Sequence, residues 1–140
     1  MPRFVLLYHD CPPHYVRPSH WDLMLEAGAT LRTWGLRRLP SDWRVSQEQT
    51  AAMYADCPPI GEENSVRAER LGDHRLDYLD KEGPLSGDRG HVRRIECGTY
   101  ESEAESPGRW QVTLVGHNWR GRVLLQQIAL EAPEWTLTVQ

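Results

Sequence analysis

Short β-prone runs alternate along this chain with clusters of proline and glycine, and that punctuation restricts it to short extended elements. Phe4 to Tyr8 is an apolar run of strand length that ends in His9. Asp10 to Ser19 then carries Pro12, Pro13 and Pro18, whose fixed φ and missing N–H exclude regular structure, so this segment reads as a loop. His20 to Glu26 resumes as a strand. Gly28 marks a tight turn within Ala27 to Thr30, and Leu31 to Leu36 is the return strand of a hairpin. Four more β-prone runs follow later: His91 to Tyr100, Trp110 to Gly116, Arg122 to Leu130 and Trp135 to Val139. Glu101 to Gly108, with its Ser106-Pro107-Gly108, is expected to be an exposed turn.

Two segments lie between these groups. Val45 to Asp56 sets Ser46 three residues before Gln49, with Ala51, Ala52 and Met53 behind, the pattern of a short capped helix ended by Pro58 and Pro59. Asp73 to Gly90 mixes charges with Gly83, Pro84, Gly87 and Gly90 and is expected to form a long ordered loop. The sum is a mainly β chain of about seven or eight strands with one or two short helices, as a barrel or a sandwich. With 140 residues and no shift in composition, residues 1–140 are expected to form one compact domain.

Composition narrows the function classes. Hydrophobic residues at 39% and charged residues at 26% are ordinary globular usage, so a folded chain is expected. A net charge of −4 argues against nonspecific coating of nucleic acid, while leaving room for a local basic patch. Six Trp and five Tyr against one Phe supply rings that fill a barrel wall or stack on bases. Arginine far outnumbers lysine, which suits bidentate contacts to phosphate or carboxylate. Cys11, Cys57 and Cys97 are an odd number and fit a reducing, cytoplasmic setting. No apolar stretch approaches roughly 18 residues, so neither export nor membrane insertion is expected.

His20 and Asp22 are two apart on an expected strand, so their side chains share a face and can hold one ion. Imidazole with carboxylate is a common divalent-metal pairing that leaves positions open for substrate. A third ligand comes from His9 or from His14. A different grouping, Cys11, His14, His20 and Cys57, offers the thiolates and imidazoles of a structural zinc site. Asp73-His74-Arg75-Leu76-Asp77-Tyr78 crowds carboxylates, an imidazole, a guanidinium and a phenol, a composition for either a solvated turn or a phosphate subsite. No P-loop and no Gly-x-Ser-x-Gly elbow is present.

Taken in order, several blocks resemble one family: Phe4-Val5 leading to His9, His20-Trp21-Asp22-Leu23, Leu31-Arg32-Thr33-Trp34, Asp73 to Tyr78, Glu82-Gly83-Pro84, Gly98-Thr99-Tyr100 and a strand at Trp110. The chain resembles the 3′-phosphoesterase domain of bacterial DNA ligase D, which also occurs as short stand-alone proteins. The resemblance implies a β-barrel that removes 3′-terminal phosphates or ribonucleotides in DNA repair, using manganese or another divalent metal. It implies His20 and Asp22 as metal ligands. The first histidine is His9 by strand context, or His14 by the family's six-residue spacing. His74 corresponds to a phosphate-binding histidine and Tyr78 to its neighbouring tyrosine. The family's phosphate-clamping arginine is replaced by Met24, and Arg75 is the first candidate to compensate, ahead of Arg38 and Arg17. Implied partners are nucleic-acid 3′ ends and a ligase or other end-joining protein. With the clamp lost, the alternative is a catalytically weak or inactive module that binds DNA ends or a repair partner.

Overall fold

A computed structural model describes residues 1–43, 63–129 and 132–140. The helix expected over Val45 to Asp56, and Cys57 after it, lie outside the described residues. Among the described residues nine strands run in chain order: β1 (Arg3–Asp10), β2 (His20–Ala27), β3 (Thr30–Leu36), β4 (Ser65–Arg75), β5 (Gly83–Pro84), β6 (His91–Ser106), β7 (Arg109–Gly116), β8 (Arg120–Gln127) and β9 (Glu134–Val139). A single 3-10 turn, Leu76–Leu79, separates β4 from β5. The strands form one antiparallel sheet in the order β1-β2-β3-β4-β9-β8-β7-β6-β5. Pairing of β1 with β6 closes it into a ring, so the fold is a barrel rather than a sandwich.

The pleat explains which residues face inward. Phe4, Leu6 and Tyr8 of β1 and Trp21, Leu23 and Leu25 of β2 join Trp34, Val112, Val123 and Leu137 in the barrel interior. The alternate residues Val5, Leu7 and Met24 face outward, yet they too are buried, beneath Tyr78, Leu79 and Leu85. A second apolar layer thus covers the outside of β1 and β2, which accounts for their continuous rather than alternating hydrophobicity. The candidate site lies at the polar end of this layer.

Three expectations are corrected. The run from Asp73 to Gly90 is not one loop: β4 extends through Arg75, and the 3-10 turn and β5 follow. The exposed turn after Tyr100 shrinks to Pro107 and Gly108, because β6 continues to Ser106 by pairing with β7, from Glu101 opposite Thr113 to Ser106 opposite Arg109. The described strands number nine, since β4 was absent from the sequence reading and β5 is a two-residue addition on β6.

Close backbone contacts fix the β6–β7–β8 corner. A Cβ on Gly98 would lie 2.1 Å from the Val115 carbonyl oxygen, so this crossing admits only glycine. The buried Glu96 carboxylate accepts backbone N–H groups from Cys97, His117, Asn118 and Trp119 at 2.7–3.0 Å, which ties β6 to the β7–β8 turn.

Candidate metal centre

Antiparallel pairing of β1 with β2 sets His9 directly opposite His20. Their ring centroids are 5.1 Å apart. Asp22 follows on the same outward face, and all three are buried, at 7%, 5% and 3% exposure. Pairing of β4 with β3 sets His74 opposite Leu31, and the 3-10 turn then brings Tyr78 edge-on to the His74 ring at 5.1 Å. His9, His20, Asp22, His74 and Tyr78 line one small cavity of about 70 Å³, together with Tyr15, Arg17 and Arg89.

Hydrogen bonds to carbonyls assign the histidine tautomers. His9 Nε2 lies 2.8 Å from the Arg89 carbonyl oxygen, and His20 Nδ1 lies 2.8 Å from that of Pro18. A carbonyl only accepts, so each of these nitrogens carries the proton. The lone pairs of the neutral rings are therefore on His9 Nδ1 and His20 Nε2. Donation of the second ring N–H to a backbone carbonyl is the arrangement that orients metal-binding histidines.

Asp22 Oδ1 is 3.1 Å from His20 Nε2, within ion-pair range, yet it has no hydrogen bond of proper geometry among the described residues. A buried carboxylate oxygen needs a cation beside it, which either a proton on His20 or a divalent ion held by His20 and Asp22 would supply.

Charge follows the same geometry. Burial, aided by the neighbouring His20, lowers the His9 pKa and keeps its ring neutral. For His20 burial also opposes the charged form, but the Asp22 carboxylate and the Pro18 carbonyl outweigh it and raise the pKa. Without metal, a proton on His20 compensates Asp22.

His9, Cys11 and His20 bring one ligand atom each within 4.8 Å of one another, a group that can hold a metal ion. Cys11 Sγ lies 4.0 Å from His20 Nδ1, the nitrogen already engaged by Pro18, and its thiol donates to the His9 carbonyl at 3.8 Å. Burial, with Asp22 and Asp10 nearby, pushes the Cys11 pKa up to about 11, so the metal-free thiol is protonated.

The structure does not bring every expected residue to the cavity. His14 is exposed and pairs with Asp88 at 3.2 Å, which separates it both from the cavity and from a zinc group with Cys11. Arg75 is 75% exposed, lies 3.6 Å from Asp77 and is not among the residues lining the cavity. Met24 is buried in the outer apolar layer, and Arg38 is exposed just beyond β3. Arg17 does line the cavity.

Sequence reasoning missed Arg89, whose carbonyl fixes His9 and whose side chain is held by Ser86 through Nε at 2.7 Å and Nη2 at 3.1 Å. The available signal was the neighbouring glycines. Gly90 has φ +87°, and a Cβ there would fall 2.0 Å from the Asp10 carbonyl oxygen, so glycine lets this loop press against the end of β1.

Compared with known proteins, the chain matches no protein-family model and no curated protein.

Proposed function

We propose that this chain is a metal-dependent phosphoesterase acting on the 3′ ends of nucleic acid in DNA repair, with manganese or another divalent ion held by His9 Nδ1, His20 Nε2 and Asp22. One observation carries the reading. His9, His20, Asp22, His74 and Tyr78, drawn from β1, β2, β4 and the 3-10 turn, line a single cavity. Asp22 is preferred to Cys11 as third ligand because it faces the free nitrogen of His20, whereas the thiol lies on the side of the nitrogen that Pro18 occupies.

The bound ion would supply Lewis acidity toward a phosphate oxygen and would lower the pKa of a coordinated water. The chain's own groups do the rest. His74 gives its Nδ1–H to the Gly72 carbonyl at 3.0 Å, which leaves Nε2 to bind phosphate or to hold a proton for the leaving oxygen. Tyr78, edge-on to that ring, holds its orientation. Arg17 and Arg89 bring guanidinium charge to the cavity wall, where developing negative charge on phosphate is stabilised.

Release of phosphate from a 3′-phosphorylated primer on a template, with added manganese, tests the reading. Activity that disappears in His20→Ala supports it; turnover unchanged in both His20→Ala and Asp22→Ala overturns it.

Burial of Met24 favours a second reading, a module that binds nucleic-acid ends or a ligase partner with little or no catalysis, since no cation projects from that position of β2. Under it, the protein shifts a 3′-phosphorylated duplex end in a gel and leaves the phosphate intact after long incubation with manganese.

A further inference from the structure

One larger cavity borders the metal cavity, and a second borders the first but shares no lining residue with the metal cavity. The first, about 310 Å³, shares Arg17 and His20 with the metal cavity and adds Arg37 and Arg67. The second, about 510 Å³, shares Trp135 with the first and adds Arg32, Arg70 and Arg109. Arginines thus mark a route from the metal cavity, past β3 and β4, to the β6–β7 hairpin, on a chain whose overall charge is −4. Such convergence against the net charge is the electrostatic footprint of a polyanion.

Three acidic residues line the route: Glu69, which is exposed, and Glu134 and Glu105, which pair with arginine at the surface. Arg67 meets Glu134 at 3.5 Å, with both side chains more than half exposed. Arg32 meets Glu105, also partly exposed. Pairs of this kind are worth little in water and yield readily to a phosphate.

The far cavity has the chemistry of a base subsite. Arg70 stacks over Trp34 at 4.7 Å, held there by the Thr33 and Leu71 carbonyls and by Asp73, and Arg32 stacks over Trp110 at 4.8 Å, so both arginines line the cavity beside an aromatic ring. Unpaired bases stack on guanidinium planes and on aromatic rings. Trp34 is 2% exposed, lines this cavity, and its Nε1–H has no hydrogen-bond partner among the described residues. Trp135, half-buried, stands where the two cavities meet. Pockets of this volume accept single nucleotides, whereas a duplex keeps its bases stacked and offers only its phosphates.

We propose that this arginine- and tryptophan-lined surface binds a single-stranded nucleic-acid segment, its phosphates on Arg37 and Arg67 and a base in the Trp34 cavity. Placement of the strand's 3′ terminus at His20 rests on the phosphoesterase reading; the binding itself does not.

The test is fluorescence anisotropy with 5′-labelled oligothymidylates that lack a 3′ phosphate, without added metal, so that no hydrolysis enters. Affinity is expected to rise from a dinucleotide to an octamer. Arg67→Glu and Arg109→Glu, both at exposed positions, are each expected to weaken octamer binding about tenfold and to flatten its salt dependence. No binding of the octamer at low salt, equal affinity of both variants and wild type, or tighter binding of duplex than of single strand would each overturn the proposal. Octamer binding without phosphate release from a 3′-phosphorylated primer would uphold this surface and remove the phosphoesterase. Phosphate release without octamer binding would do the reverse.

Discussion

His9 and His20 face each other across the β1–β2 ladder, and each donates one ring N–H to a backbone carbonyl, His9 to Arg89 and His20 to Pro18, both at 2.8 Å. That pairing leaves His9 Nδ1 and His20 Nε2 as the ring nitrogens not engaged by the backbone, with Asp22 Oδ1 3.1 Å from His20 Nε2.

Asp22→Asn keeps the shape of the side chain but removes the charge that faces His20 Nε2. Titration calorimetry with manganese is expected to show affinity reduced by about 100-fold or more, since losing a charged ligand costs more than the roughly 10- to 100-fold of a group that only supports one. Cys11→Ser is expected to change affinity by less than about threefold. The opposite order would give the third ligand position to the thiol.

Gly90→Ala brings a Cβ against the Asp10 carbonyl oxygen at a φ of +87°. The loop must shift, and with it the Arg89 carbonyl that orients His9. Stability is expected to fall by about 2–4 kcal/mol in chemical denaturation, with weaker metal binding in the folded fraction.

Glu96→Gln replaces one acceptor oxygen by an NH2 group facing backbone N–H donors. Loss of acceptance at the β7–β8 turn is expected to cost about 2–4 kcal/mol, read by denaturant unfolding, with the metal centre retained in the folded protein.

Proton NMR of the metal-free protein should find His20 titrating above the usual histidine range and His9 below it. The linkage signs are opposite. The raised His20 pKa contributes stability that is full below the unfolded value near 6.5 and is lost as pH rises through the folded value. Protonation of His9, whose pKa is lowered, removes stability as pH falls below about 6.5 and through the folded value. A saturating divalent ion should abolish both titrations, since both lone pairs are then taken.

The β1–β2–β3 hairpin and its three polar residues were legible in the sequence because prolines delimit the strands and the His20-x-Asp22 spacing places both on one face. β4 was not legible. Its inward Ala68 is small, and Arg67, Glu69, Arg70 and Asp73 are charged, so the strand depends on partners supplied by β3 and β9. The second half of β6 is polar and exposed, and it too is extended because β7 pairs with it. Strand context after Phe4 to Tyr8 already favoured His9 over His14 in the sequence, and the register adds that His9 lies opposite His20 while His14 lies beside Asp88. The Arg89 carbonyl has no residue signature of its own, because a backbone oxygen belongs to every residue, and Gly90 beside it is its one indirect trace.

The most direct test of the central claim is manganese-dependent release of phosphate from a 3′-phosphorylated primer annealed to its template, with wild-type protein beside His20→Ala. Release by wild type and its loss in the variant is the predicted result. Absence of release by wild type that calorimetry shows to be manganese-bound, or equal release by both proteins, would contradict it.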